Sequence, residues 1–143
     1  MLYIDSSSFL KLFLADPESS AVDAALESES LVIISSLTQL ETETQFRAAM
    51  LSGRLTKRAY SKVMSRYEEA LGMDPFVLKG LPGSVFVTAM RVHREHPDIH
   101  CRSLDRMHLA AMHELGAKRI MCHDARLCEV AKSLGYEVLT PII

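Results

Sequence analysis

The chain has 143 residues, 48% of them apolar and 24% charged, with a net charge of −2. That length accommodates one domain with a proper core and hardly two, so a single domain over 1–143 is expected. The near-neutral charge excludes a uniformly basic nucleic-acid binder but leaves room for a local basic face. No apolar run reaches the roughly 18 residues of a membrane span, and Asp5 with the serines after it interrupts any signal-peptide core. The three cysteines, Cys101, Cys122 and Cys128, are odd in number and form no CxxC pair. They read as reduced thiols in a cytoplasmic protein, with no zinc pattern.

Leu2-Tyr3-Ile4 is a short unbroken apolar run of the kind that suits a strand buried on both faces. It leads into Asp5 and then Ser6-Ser7-Ser8, where Ser7 or Ser8 is placed to cap a helix carrying Phe9, Leu10, Phe13 and Leu14 inward. Pro17 ends that helix and a second is expected over Ser19 to Ser28. Leu31 to Ile34 is rich in β-branched residues and reads as strand two. Ser36 with Gln39 has capping-box spacing for a long helix, with Leu37, Leu40, Thr44, Ala48 and Leu51 on one side and Gly53 as its stop. Thr56 caps a partner helix that closes at Gly72, making an αα-hairpin. Phe76-Val77-Leu78 is a short strand, Val85 to Glu95 a helix ended by Pro97, and Ser103 the cap of a helix stopped by Gly116. Arg119 to Cys122 reads as a strand, Ala125 to Leu134 as a helix capped by Asp124, and Tyr136 to Leu139 as the last strand. Strands alternating with helices throughout indicate an α/β fold, a parallel sheet with helices on both faces.

The acids sort by context. Asp5 and Asp124 each follow a strand and open a helix, Asp105 falls in the first turn of a helix, and Glu41 shares the inward side of its helix with Leu37. Each has an ordinary alternative: a helix cap for Asp5 and Asp124, a macrodipole partner for Asp105, a buried ion pair for Glu41. Glu43 precedes Arg47 by four and is expected to pair with it on the surface. In an open parallel sheet, strand ends on one edge gather into one crevice. Carboxylates about 4 Å apart repel by roughly 4 kcal/mol per pair at an effective dielectric of about 20, so such a gathering calls for protons, basic partners or a cation. Oxygen-only ligation without a His-Cys cluster suits Mg²⁺ or Mn²⁺.

Five segments taken together carry a resemblance: Tyr3-Ile4-Asp5-Ser6-Ser7, Ser36-Leu37-Thr38-Gln39-Leu40-Glu41, Leu104-Asp105-Arg106-Met107-His108-Leu109-Ala110, Cys122-His123-Asp124-Ala125-Arg126-Leu127 and Gly135 to Pro141. In order and spacing the chain resembles the PIN-domain family, in particular the VapC-type toxins of bacterial toxin–antitoxin pairs. The resemblance implies a three-layer α/β/α sandwich around a parallel sheet and a metal-dependent ribonuclease whose acidic site is Asp5, Glu41, Asp105 and Asp124. It also implies Mg²⁺ or Mn²⁺, an RNA substrate, a homodimer and a cognate antitoxin that blocks the cleft. Ser7 matches the family's small polar position after the first acid, where it is either a water-orienting group or a helix cap. Cys122 stands where the family often has Thr or Ser two residues before its last acid, and a thiol is a weaker donor and a poor partner for a hard cation.

Other signals have plainer readings. Arg54, Arg58, Lys62 and Arg66 recur at steps of four, with Lys57 beside them, as either an RNA-tracking stripe or a solvated face. His108 lies one helical turn after Asp105 and reads as a packed helix residue, and His123 is expected to aim away from the cleft. A phosphatase of the haloacid-dehalogenase type would want an acid where Ser7 stands, and a receiver domain would want paired acids before its phosphorylated Asp. A non-catalytic PIN-like RNA- or protein-binding module remains the alternative to the ribonuclease, with Cys122 as its support.

Overall fold

A computed structural model describes all 143 residues. Five strands, β1 (Leu2–Ile4), β2 (Val32–Ser35), β3 (Phe76–Lys79), β4 (Arg119–Met121) and β5 (Glu137–Leu139), form one sheet in the order β3-β2-β1-β4-β5. Every pairing is parallel, with Tyr3 opposite Ile33 on one side and Ile120 on the other. β1 is therefore the central strand, and its three residues are fully buried.

The two-residue period of a strand divides the interior into two cores. Leu2 and Ile4 face one, built with Phe9, Phe13, Phe46 and Tyr67. Tyr3 faces the other, with Leu109, Met112, Ile120 and Leu127. The first core is covered by α1 (Ser6–Phe9), which continues into a 3-10 turn over Leu10–Leu12, and by α2 (Ser19–Glu27), α3 (Ser36–Leu51) and α4 (Lys57–Leu71). The second is covered by α5 (Ser84–Glu95), α6 (Ser103–Leu115) and α7 (Ala125–Ser133). The result is the expected three-layer α/β/α sandwich. Phe9, Phe13, Phe46 and Tyr67 pack edge to face with centroids 5.1–6.0 Å apart, the arrangement ring quadrupoles favour. Each such ring contributes roughly 1.5–3 kcal/mol by burial, enough to hold the 3-10 turn down although it has no cap of its own.

Several local expectations are corrected. The first helix is capped by Asp5, which accepts from the Ser8 N–H, and not by Ser7 or Ser8. The long helix α3 is capped by Ser35, which accepts from the Thr38 N–H, while Ser36 Oγ accepts from the Leu81 N–H instead. Its buried face is Leu37, Thr38, Thr42, Phe46 and Ala49, and of the expected stripe Leu40, Thr44, Ala48 and Leu51 are all exposed. Arg47 lies over the Tyr60 ring, 5.4 Å from its centroid, and makes no ion pair with Glu43. Ser103 does not cap α6, whose flanking residue is Arg102. Cys122 and Cys128 lie side by side, with Cα atoms 6.3 Å apart, and Cys101 is buried away from them. The tight turn from β4 into α7 brings the two together, a proximity that a spacing of six does not advertise.

From β1 the chain steps outward to β2 and β3, then crosses back past β1 to β4 and β5. The connections leaving β1 and β4 therefore diverge, opening a crevice at the carboxyl ends of the central strands, where ligands bind in open α/β sheets.

Candidate functional site

Asp5 leaves β1 straight into that crevice and is 2% exposed. Ser7 Oγ lies 2.8 and 2.7 Å from its two carboxylate oxygens and donates to them. The same hydroxyl accepts from the backbone N–H groups of His123, at 2.8 Å, and Asp124, at 3.0 Å. A serine hydroxyl has one proton and two lone pairs, so Ser7 is fully used. It is a strut tying the end of β1 to the β4–α7 turn, which corrects both sequence readings of it, the cap and the water-orienting group. Burial pushes the Asp5 carboxyl above its ordinary pKa, against the opposing effect of His108 and of the hydrogen bonds from Ser7 and Ser8.

Asp124 caps α7 by accepting from the Leu127 N–H at 3.0 Å. Burial pushes its pKa upward, but the Leu127 N–H and the Arg102 guanidinium outweigh that and hold the carboxyl below its ordinary range. Asp105 sits in the first turn of α6 and is buried. Arg102 joins the two: its Nη2 is 2.7 Å from Asp124 Oδ2, and its Nε is 3.1 Å from Asp105 Oδ2. These two acids, 19 positions apart in the chain, thus share one cation.

Glu41, half-buried on α3, accepts from Ser6 Oγ at 3.3 Å and from His108 Nε2. The other ring nitrogen, Nδ1, lies 2.7 Å from the Tyr3 hydroxyl. That hydroxyl is also 2.8 Å from Ser35 Oγ, so a chain of hydrogen bonds runs from Glu41 to the end of β2. Thr38 Oγ1 closes the network by donating to the Ile4 carbonyl at 2.9 Å. His108 is 2% exposed and is more than the packed helix residue the sequence suggested, because it fixes the Glu41 carboxylate from the core side. Nothing local pairs residues 67 positions apart, so this link was invisible in the sequence. His123 does turn from the acids: Ser8 Oγ donates to its Nδ1 at 2.9 Å and its Nε2 donates to the Pro141 carbonyl at 2.7 Å. Cys122 is fully buried among the second core's residues and makes no hydrogen bond to the acids, and Ser7 supplies the order at the Asp124 backbone instead.

Hydrogen bonds therefore link Asp5 through Ser7 to the Asp124 backbone, and Asp124 through Arg102 to Asp105. Glu41 reaches α1 through Ser6. No three His, Cys, Asp or Glu side chains stand close enough to cage a cation as they are. The donor set nonetheless suits a hard divalent cation: carboxylate oxygens, two of them on buried acids, with no thiolate among them and the one imidazole that reaches them, His108, bonded to Glu41. A surface cavity of about 750 Å³ opens at the opposite end of the sheet beside Phe13, Arg66 and Pro75 and is lined by none of these acids.

The family model for the PIN domain matches residues 2–133. The chain belongs to the PIN domain family. It is 29% identical over 142 residues to Ribonuclease VapC46 of Mycobacterium tuberculosis (strain ATCC 25618 / H37Rv), a match covering 98% of this chain and 97% of that one. Its fold is similar to that of Mycobacterium tuberculosis VapC20, described as a Sarcin-Ricin loop cleaving toxin, with a TM-score of 0.71 at 16% identity over 99% of this chain and 100% of that one. It is also similar to FitAcB from Neisseria gonorrhoeae, with a TM-score of 0.72 at 16% identity over 99% and 98%. Asp5 and Asp124 follow the carboxyl ends of β1 and β4, Glu41 lies in the helix after β2, and Arg102 joins Asp105 of α6 to Asp124.

Proposed function

We propose that this PIN domain is a metal-dependent endoribonuclease that hydrolyses RNA phosphodiester bonds, acting in the cytoplasm as the toxin of a type II toxin–antitoxin pair. The observation that carries the reading is the linkage of Asp5, Asp105 and Asp124 at one sheet edge by Ser7 and a single guanidinium. The names of its relatives support the substrate class: one is a ribonuclease, and one of similar fold cleaves the Sarcin-Ricin loop.

Asp5, Glu41, Asp105 and Asp124 are the residues that would hold Mg²⁺ or Mn²⁺. A bound divalent cation supplies the positive charge that lets these carboxylates stand together and that offsets charge on a phosphodiester undergoing attack. The protein's own part is orientation. Ser7 fixes both oxygens of Asp5, His108 fixes Glu41, and the Leu127 N–H fixes Asp124. Such supporting bonds keep acidic ligands aimed and unpaired with one another. A homodimer and an antitoxin belong to the same reading. Phe86 and Met90 of α5 and Leu104 of α6 are exposed and line one groove, an apolar patch open to a second subunit.

The test is cleavage of a structured RNA with Mn²⁺ or Mg²⁺. Asp5→Asn and Asp105→Asn are each expected to lower the rate more than about a hundredfold. Variants cutting as fast as the parent would end the catalytic reading. RNA binding without cleavage by the parent protein would leave the non-catalytic module in its place.

A further inference from the structure

Arg102 is the residue whose placement the acidic site does not by itself explain. It flanks the start of α6, its side chain is 69% exposed, and it contacts the two acids it bridges. Two other arginines near this rim are engaged elsewhere: Arg106 Nε donates to the Cys101 carbonyl at 3.2 Å, and Arg126 donates to the His100 carbonyl and pairs with Glu129 at 3.2 Å, away from the four acids. Arg102 alone spends its guanidinium on the carboxylates, through Nε to Asp105 and through Nη2 to Asp124 and, at 3.4 Å, to Asp105 again.

We propose that Arg102 is a positioning residue that serves as the resident counter-charge of this site and competes with the divalent cation for Asp105 and Asp124. The inference rests on the metal-site reading given above. Two carboxylates drawn to one pocket repel, and some positive charge must stand between them. A forked guanidinium is shaped for this, since its separate N–H groups reach two acceptors at once. Its exposure makes it displaceable, because an ion pair open to water is worth little and its loss is compensated by hydration. The absence of any three-acid cage follows, since the carboxylates are spaced around a guanidinium rather than a compact ion. Once displaced, Arg102 stays tethered at the rim by α6, a free cation beside the path of a phosphodiester.

The experiment is a calorimetric titration of Mn²⁺ into the metal-free protein and into Arg102→Gln and Arg102→Lys, with Asp5→Asn as reference. Arg102→Gln is expected to bind Mn²⁺ about threefold more tightly, the scale of one lost solvent-exposed ion pair. Arg102→Lys, which keeps the charge without the fork, is expected to fall between. The affinity gain should shrink as salt rises, a trend that a purely structural role would not produce. Equal or weaker Mn²⁺ binding by Arg102→Gln, with the parent and Arg102→Lys both folded and binding, overturns the role of Arg102 while leaving the metal site standing. Parent protein that binds no more Mn²⁺ than Asp5→Asn overturns the metal-site reading itself.

Discussion

At the residue scale, Asp5 shows a conflict between stability and use. Its carboxyl is buried and its pKa is raised, so its charge opposes folding. For an acid with a raised folded pKa, stability is greatest at low pH and declines as pH climbs from the unfolded value of 3.8 through the folded one. Near neutrality the metal-free protein therefore carries the cost of that charge. Asp5→Asn keeps an acceptor for the Ser8 N–H and removes the charge. It is expected to stabilise the metal-free fold by about 1 kcal/mol while abolishing cleavage, the trade common at functional sites. Chemical denaturation at neutral pH checks the first half, and a lower midpoint for the variant would contradict it. Arg102 could have been flagged from the sequence, since it stands three residues before Asp105, a spacing at which helical neighbours meet. Its second contact, to Asp124, depends on how α6 and α7 meet the sheet and has no local signature.

At the element scale, short connections fix where these acids go. Lys11 in the 3-10 turn bonds Asp16 at 2.9 Å and Glu18 at 3.1 Å, fastening the turn to the start of α2. Lys11 holds the Asp16 carboxyl down at about 2, helped by the Glu18 N–H. A lowered folded pKa contributes stability above the unfolded value of 3.8 and loses it as pH falls toward 2. The stability difference between parent and Asp16→Ala should therefore be constant above pH 5 and shrink on acidification. A difference that grows with acid would refute the ion pair's role. The strands were legible because β1 is an unbroken apolar run buried on both faces, and β2 and β4 carry buried apolar residues at Val32, Ile33, Ile34, Ile120 and Met121. The face of α3 was misjudged for a physical reason. Thr38 is buried because its hydroxyl donates to the Ile4 carbonyl at the end of β1, and this turns Leu37, Thr42, Phe46 and Ala49 inward and leaves Leu40 and Leu51 exposed. Glu41 was nonetheless placed near the crevice, since the neighbouring Leu37 is buried as expected.

For the whole molecule, two cores share one sheet and differ in what covers them. The side bearing α5 and α6 leaves Phe86, Val87 and Met90 at 61%, 64% and 50% exposure, beyond what a solvated helix face needs. Light scattering should find a dimer for the parent. Phe86→Ser combined with Met90→Ser should shift it toward monomer with little change in unfolding midpoint, because neither side chain is buried within the subunit. A double variant still dimeric would assign the contact elsewhere. The basic residues of α4 turn out to be divided in use: Arg66 donates to the Leu12 carbonyl at 2.9 Å and lies over Phe13, whereas Arg54, Arg58 and Lys62 are solvent-exposed.

The position of β1 in the sheet has a consequence for biosynthesis. The strand made first lies in the middle, and one of its two neighbours, β4, begins only at Arg119. Asp124 and the backbone groups that grip Ser7 come later still. A nascent polypeptide can assemble β1 with β2 and β3 early, since chains fold progressively as they emerge. It cannot close the pocket until the segment carrying His123 and Asp124 has been made, so the four acids come together only after β1, β2 and β3 are already in place.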